Sequence, residues 1–201
     1  MRKKTVTAYV AIACAIAWAL WLGSSAAFGA GSRQYILSLS LGMYAPGIAA
    51  VIVSRGINEN KTGIGWRPAV KGNVRWYLAA LLVPAVLTVL GGGVFFVFFP
   101  HCFDPELSLL AAAIDGSGLT PWQYLGMVLV QCVTVGPFIN AVFAVGEEAG
   151  WRGYLYPRLS VRFGRRRGYI LGGVIWGLWH APIIALGHNY GVEYWGYPVT
   201  G

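Results

Sequence analysis

Five stretches of this chain carry no Asp, Glu, Lys or Arg: Thr5 to about Phe28, Tyr35–Val53, Trp76–Phe99, about Trp122–Gly146, and Gly168–Gly187. A helix needs about 20 residues to cross a hydrocarbon core of roughly 30 Å, so each run is long enough to span a bilayer. The runs are continuously apolar rather than alternating, the pattern of membrane helices and not of barrel strands. The predicted fold is all-α, a polytopic membrane helix bundle of about five transmembrane helices forming a single membrane-embedded domain over residues 1–201. Composition agrees: 11% of the residues are charged and 57% hydrophobic, where a soluble domain carries about 25% charge.

The net charge of +8 invites a nucleic-acid reading, but the basic residues are segregated. Of the 15 lysines and arginines, all but Arg33 lie at the N-terminus (Arg2, Lys3, Lys4), in the loop Arg55–Arg75, or in Arg152–Arg167. These three segments alternate with the spans. The positive-inside rule therefore puts the N-terminus and both basic loops in the cytoplasm. The run Arg165-Arg166-Arg167 reads as topology and lipid-headgroup contact, with no nucleic-acid partner expected. The expected location is multi-pass integral, in a bacterial plasma membrane. Cys14, Cys102 and Cys132 have no metal spacing and predict no disulfide framework. A secretory signal is the rival for the first segment, but its apolar run outlasts a usual h-region of about 7–15 residues and contains Trp18 and Trp21, favouring an uncleaved span.

Between the spans, Gly29–Ser32 makes a short turn, so the first two helices run antiparallel. Asn58 and Asn60 offer turn chemistry in the first basic loop, and Trp66 and Trp76 read as interface anchors. Pro100 ends the third span, and a short helix is predicted over Pro105–Ile114.

The informative residues are the polar ones inside these runs. In Glu147-Glu148-Ala149-Gly150-Trp151-Arg152, Arg152 follows Glu148 by four residues and shares its helical face, so the two pair. Glu147 is rotated by about 100° and points elsewhere. One carboxylate is thus engaged while its neighbour is left to take a proton from water, the division general-base catalysis needs. The duller alternative is an interfacial ion pair anchoring a helix end. On the next span, His180 lies in Trp176-Gly177-Leu178-Trp179-His180, with Pro182 expected to bend the helix nearby. A lone histidine is often only a packed residue, but here the only other ionisable groups at membrane depth are Glu147, Glu148 and Arg152. Counting from Tyr154–Tyr156, Glu147 lies ~10–14 Å inside, and His180 lies ~20 Å along its helix from Arg167, at 1.5 Å per residue. A kink near Gly136-Pro137 would absorb the difference in depth.

Together these two elements resemble the CAAX protease and bacteriocin-processing family of intramembrane endopeptidases, related to the prenyl-protein endopeptidase. The family's Glu-Glu-x-x-x-Arg motif is matched by Glu147, Glu148 and Arg152, and its aromatic-x-x-x-His motif by Trp176 and His180. Gly146, Gly153-Tyr154-Leu155 and His180-Ala181-Pro182 also resemble bacterial members. The resemblance covers mainly residues 140–190. It implies catalytic roles for Glu147, Glu148, Arg152 and His180, with Glu147 activating water and His180 acting as a metal ligand or oxyanion stabiliser.

Zinc is one expected cofactor, held by Glu147 and His180, and a metal-free glutamate mechanism is the other. Zinc would need roughly three protein ligands. The family continues into helices bearing a second histidine and an asparagine or aspartate, whereas this chain stops at Gly201, so a C-terminally incomplete domain is expected. His188-Asn189 and His101 are expected at the outer interface and in an outer loop, not in the site. The implied partners are the lipid bilayer and a peptide or protein substrate, lipid-modified or membrane-associated. Two rival functions stay open: a non-catalytic membrane immunity or assembly protein of the same fold, and a transporter or proton relay.

Overall fold

The structure is a computed structural model that describes residues 3–56, 69–189 and 191–193. The predicted turn at Asn58 and Asn60, the Trp66 anchor and basic residues Arg2, Lys61 and Arg67 lie outside the described residues. The helices are α1 (Lys3–Phe28), α2 (Arg33–Gly42), α3 (Ala45–Gly56), α4 (Val74–Phe98), α5 (Ser108–Ala113), α6 (Pro121–Val133), α7 (Gly136–Gly150), α8 (Tyr156–Phe163) and α9 (Arg165–Ala185). There is no strand among the described residues. A π-helical turn, Trp151–Leu155, joins α7 to α8.

All five apolar runs are helical, but two are broken. Helices α1, α4 and α9 are long and apolar enough to cross a membrane singly. The second run is the pair α2 and α3, bent by 40°, and the fourth is α6 and the Gly136–Phe163 segment, bent by 49°. Each break precedes a proline by a few residues. Pro46 and Pro137 have no N–H to offer the carbonyls of Gly42 and Val133, which are the last residues of α2 and α6. Thr134, in the second gap, returns its hydroxyl to the Val130 carbonyl at 2.7 Å. The predicted kink near Gly136-Pro137 is therefore present. Pro84 and Pro182 lie inside α4 and α9, and both helices continue through them.

The chain divides into two compact units. The first comprises Met1–Trp66 and Val142–Gly201, the second Arg67–Ala141. The first unit is built on α1, whose buried residues Thr5, Tyr9, Ala13, Ala17 and Trp21 recur every four positions along one face. Ala45, Ala49 and Val53 of α3 are buried in the same core. Alanines on both helices let the backbones come close, the way helices pack where lipid removes the hydrophobic drive. Tryptophan N–H groups then fix register. Trp18 Nε1 donates to the Trp179 carbonyl at 2.9 Å, and Trp179 Nε1 donates to the Ala13 carbonyl at 3.3 Å. Trp21 Nε1 donates to the Ser38 carbonyl at 3.0 Å. These bonds tie α1 to α9 and to α2.

The second unit contains α4, α5 and α6, none of which has a buried residue. Helix α6 begins with a capping box: Thr120 accepts from the Gln123 N–H, and the Gln123 side chain accepts from the Thr120 N–H. The short helix predicted over Pro105–Ile114 is confined to Ser108–Ala113, entered through Leu107 at a left-handed φ of 51°.

Candidate active site

The site lies within the first unit, where the end of α7 meets the α2–α3 bend. Gly146 and Gly150 make that meeting possible. A Cβ on Gly146 would stand 2.5 Å from the Tyr44 Cα and 2.6 Å from the Met43 carbonyl, and one on Gly150 would overlap Pro46. On the facing side, a Cβ on Gly47 would lie 2.8 Å from the Gly146 carbonyl. Glycines four apart thus bracket the two glutamates and leave α7 in backbone contact with α3. Tyr44 Oη adds a hydrogen bond to the Val142 carbonyl at 2.7 Å.

With α7 held there, the rotation between neighbouring residues sorts the carboxylates. Glu148 and Arg152 point outward and form the i,i+4 ion pair, both well exposed. Glu147 points inward and is only 9% exposed. It has no ion pair among the described residues, but it is not unattached as the sequence implied. Its Oε2 accepts from Trp151 Nε1 at 3.2 Å and from Trp176 Nε1 at 2.9 Å. Both donors reach the same oxygen, and among the described residues no hydrogen bond engages Oε1. A desolvated carboxylate is held this way in one orientation, with one oxygen left for a reacting proton.

Trp176 belongs to α9, so its bond to Glu147 joins the two motifs directly. One turn later, His180 Nδ1–H donates to the Trp176 carbonyl at 2.9 Å. That bond fixes the neutral tautomer and leaves the Nε2 lone pair for chemistry. The imidazole is steadied edge-on by Trp179, with ring centroids 4.7 Å apart, and Trp179 in turn meets Trp151 at 5.6 Å and Trp21 at 4.6 Å.

Glu147 and His180 line one cleft of about 380 Å³, whose walls include Trp21, Ile36, Leu39 and Ile183. His188 and Asn189, expected outside the site, line it too. Counted along a straight helix, His188 is two turns beyond His180. The helix does not run straight on. Gly187 takes φ +84°, its N–H bonds the Ile184 carbonyl at 2.9 Å, and the His188 N–H bonds the Ile183 carbonyl at 3.0 Å. This paired closure is a Schellman cap, which turns the chain back over the helix end. Asn189 follows at φ +73°, a left-handed conformation that asparagine tolerates better than most residues. Burial, and then the neighbouring His180, hold the His188 imidazole below the ordinary histidine range. His101 lies exposed in a short 3₁₀ turn, Pro100–Cys102, after α4 in the second unit.

The metal expectation can be tested on the donors. Zinc in a catalytic site takes three protein ligands and an open position. Glu147 and His180 supply two, and among the described residues no three His, Cys, Asp or Glu side chains come close enough to hold an ion. The described donor set does not fit zinc.

Of the residues that shape the site, sequence reasoning missed Trp151 as a donor and the His188-Asn189 turn. The first was legible, since Glu147 and Trp151 are four apart on one face. The second was signalled by Gly187, the usual residue just past a helix end.

One comparison with known proteins falls on this same region. Residues 119–198 match the family model described as Type II CAAX prenyl endopeptidase Rce1-like. CAAX prenyl protease 2 of Methanococcus maripaludis is 33% identical over 88 residues, covering 43% of this chain and 32% of that protein. The aligned part of this chain thus spans about a third of the length of the curated relative it matches. No solved structure matches the chain. The segment matched by the family model carries both motifs, and it is similar to the CAAX protease family.

Proposed function

We propose that this chain acts as a membrane endopeptidase that hydrolyses a peptide bond in a prenyl-bearing peptide or protein, within reach of a membrane face. The observation that carries the reading is the cleft shared by Glu147 and His180, with Glu147 bound to Trp176 one turn before the histidine. Glu147 takes a proton from a water molecule as the water oxygen bonds to the scissile carbonyl carbon. The C–N bond then breaks, and the carboxylic acid returns the proton to the leaving amine. Two indole N–H groups keep Glu147 Oε2 occupied, so Oε1 does the proton transfer.

His180 serves this scheme in a way its tautomer constrains. With Nδ1–H committed to the Trp176 carbonyl, the neutral ring presents a lone pair at Nε2, which can orient the water. Donation to the oxyanion would require a proton at Nε2, which the neutral ring in this tautomer does not carry. Glu148 and Arg152 sit outside the cleft as positioning residues: their pair fixes the end of α7 and with it the direction of Glu147.

The test uses the full chain in lipid nanodiscs with a peptide ending in a prenylated cysteine and three further residues. Glu147→Gln lowers the cleavage rate by about 10²–10⁴-fold, the usual contribution of a general base, with helicity unchanged. His180→Ala also abolishes most turnover, and a chelator leaves the wild-type rate intact. Wild-type rates in Glu147→Gln would overturn the assignment, and a biological activity surviving in that variant would favour the non-catalytic immunity or assembly reading. A rate lost to chelator and restored by zinc would replace the metal-free scheme.

A further inference from the structure

The hairpin of α8 and α9 holds a second cleft, of about 530 Å³, with a chemistry unlike the first. Its polar lining is two arginines, Arg152 and Arg165, and three hydroxyls, from Tyr156, Ser160 and Tyr169; no acid lines it. The backbone makes this juxtaposition. Gly164 turns the chain at φ +79°, and a Cβ on Gly168 would stand only 2.7 Å from the Ser160 amide nitrogen. The two helices are therefore in backbone contact, with Arg165 brought beside Ser160. Tyr156 and Tyr169 lie ring to ring at 5.1 Å. The one acid engaged is Glu148, bound through Arg152 Nη1, which leaves the remaining guanidinium N–H groups of Arg152 for another acceptor. Arg165 makes no ion pair among the described residues.

We propose that this cleft seats the phosphate of an anionic lipid headgroup. Two guanidinium forks and three hydroxyls suit a tetrahedral anion with several acceptor oxygens. A free phosphate has the same chemistry, but the rim argues for a lipid. Val161 lines the cleft and is 84% exposed, an aliphatic side chain that an acyl chain would cover and water would not. Helix α8 places it among Arg158 and Arg162, the mixed composition of a helix lying in a membrane interface. Arg165 is also the first residue of a helix long enough to span, which puts the cleft at the membrane boundary. An occupant would share Arg152 with Glu148 and so bear on the end of α7. The binding itself does not depend on the hydrolytic reading.

The experiment is lipid binding by the full chain, delipidated and then titrated with phosphatidylglycerol or phosphatidylcholine, with bound lipid counted by native mass spectrometry. Wild type is expected to prefer phosphatidylglycerol. Arg165→Gln lowers that preference about fivefold, the weight of one arginine near a lipid surface, and Ser160→Ala with Tyr169→Phe lowers it further. Arg166→Gln makes the same charge change outside the cleft lining and serves as the control, with little effect expected. Equal losses in Arg165→Gln and Arg166→Gln would overturn the site in favour of diffuse surface attraction. Displacement of the lipid by millimolar inorganic phosphate would assign the cleft to a free anion and overturn the lipid. If Arg165→Gln fails to fold, judged by its thermal midpoint in phosphatidylcholine, Arg165→Lys with the Ser160→Ala and Tyr169→Phe pair carries the test. Undiminished preference in that set overturns the proposal.

Discussion

Both units are made of apolar helices, yet the cluster of buried core residues lies in only one of them. Helix α4, in the second unit, has the highest hydropathy of the three single spans and has no buried residue. Helices α1 and α9, in the first, are less apolar and both have buried residues. The difference lies in the small and polar residues. In the first unit, Gly42, Gly146, Gly150, Gly168 and Gly172 are each so close to a neighbour that a Cβ would collide, and tryptophan N–H groups reach across helices to carbonyls. In the second, Gly91, Gly92, Gly93 and Gly126 face nothing within 4 Å. Hydropathy puts a helix in a membrane, but lipid is as apolar as leucine and does not drive helices together. Close approach and hydrogen bonds do, and here they occur in the unit that holds the carboxylate and the imidazole.

Glycine substitutions break or sharpen this contrast with the largest effect on stability. Gly150→Leu is expected to cost near the upper end of the about 1–3 kcal/mol typical of overpacking, because the colliding atoms include the Pro46 backbone. Gly92→Leu should fall within about 0.5 kcal/mol of wild type. Unfolding by dodecyl sulfate titration would measure both. Equal effects would mean that the open glycines of α4 are packed after all and that the contrast is wrong.

Hydrogen bonding comes next. Trp176→Phe keeps an aromatic ring, though a smaller one, and removes one of the two donors to Glu147. A hydrogen bond to a charged group contributes about 1.5–3 kcal/mol, and with Trp151 still in place the lower end is expected. Because this bond joins Glu147 to α9, cleavage should fall along with stability. Cleavage at the wild-type rate would show that Trp151 alone orients the carboxylate. The exposed pair is smaller still: Glu148→Gln should cost less than about 1 kcal/mol, as surface ion pairs do. A stability loss several times larger would mean that the pair is shielded.

Much of this was legible in the sequence, for reasons that differ by element. The spans could be read because the bilayer imposes a length and forbids charge. The partition of Glu147 from Glu148 followed from a 100° step, and the pairing with Arg152 from a four-residue repeat. The breaks were only half legible. Pro46 and Pro137 end helices while Pro84 and Pro182 do not, and the expected bend at Pro182 leaves α9 an unbroken helix. The local effect of a missing N–H is the same at all four prolines, so neighbours outside the helix decide. That His188 shares the cleft was not legible from a linear count, which assumes the helix continues, whereas Gly187 ends it. The bond from Trp176 to Glu147 spans 29 residues and depends on how α9 packs, which no local period encodes.

Acidification offers the finest separation of the two units. His188, at the cleft of the first, has its pKa lowered from the histidine value of 6.5 by burial and then by His180. The unfolded chain therefore binds a proton that the folded chain refuses, so stability rises with pH through this window and is lost as pH falls below 6.5. Asp104, in the second unit, is lowered from 3.8, first by hydrogen bonds from Ser108 and then by those from Glu106 and Leu107. Its contribution is present above 3.8 and lost as pH falls through its depressed folded value. The two losses are thus separated in pH, the histidine's first. Both groups are at least partly solvated, so both steps are small. His188→Gln should remove the step nearer neutrality and leave the acidic one, whereas Asp104→Asn should do the reverse, read as unfolding midpoints from pH 7.5 to pH 3. A His188→Gln variant that still loses stability between pH 6.5 and pH 5 would mean that the step does not belong to His188.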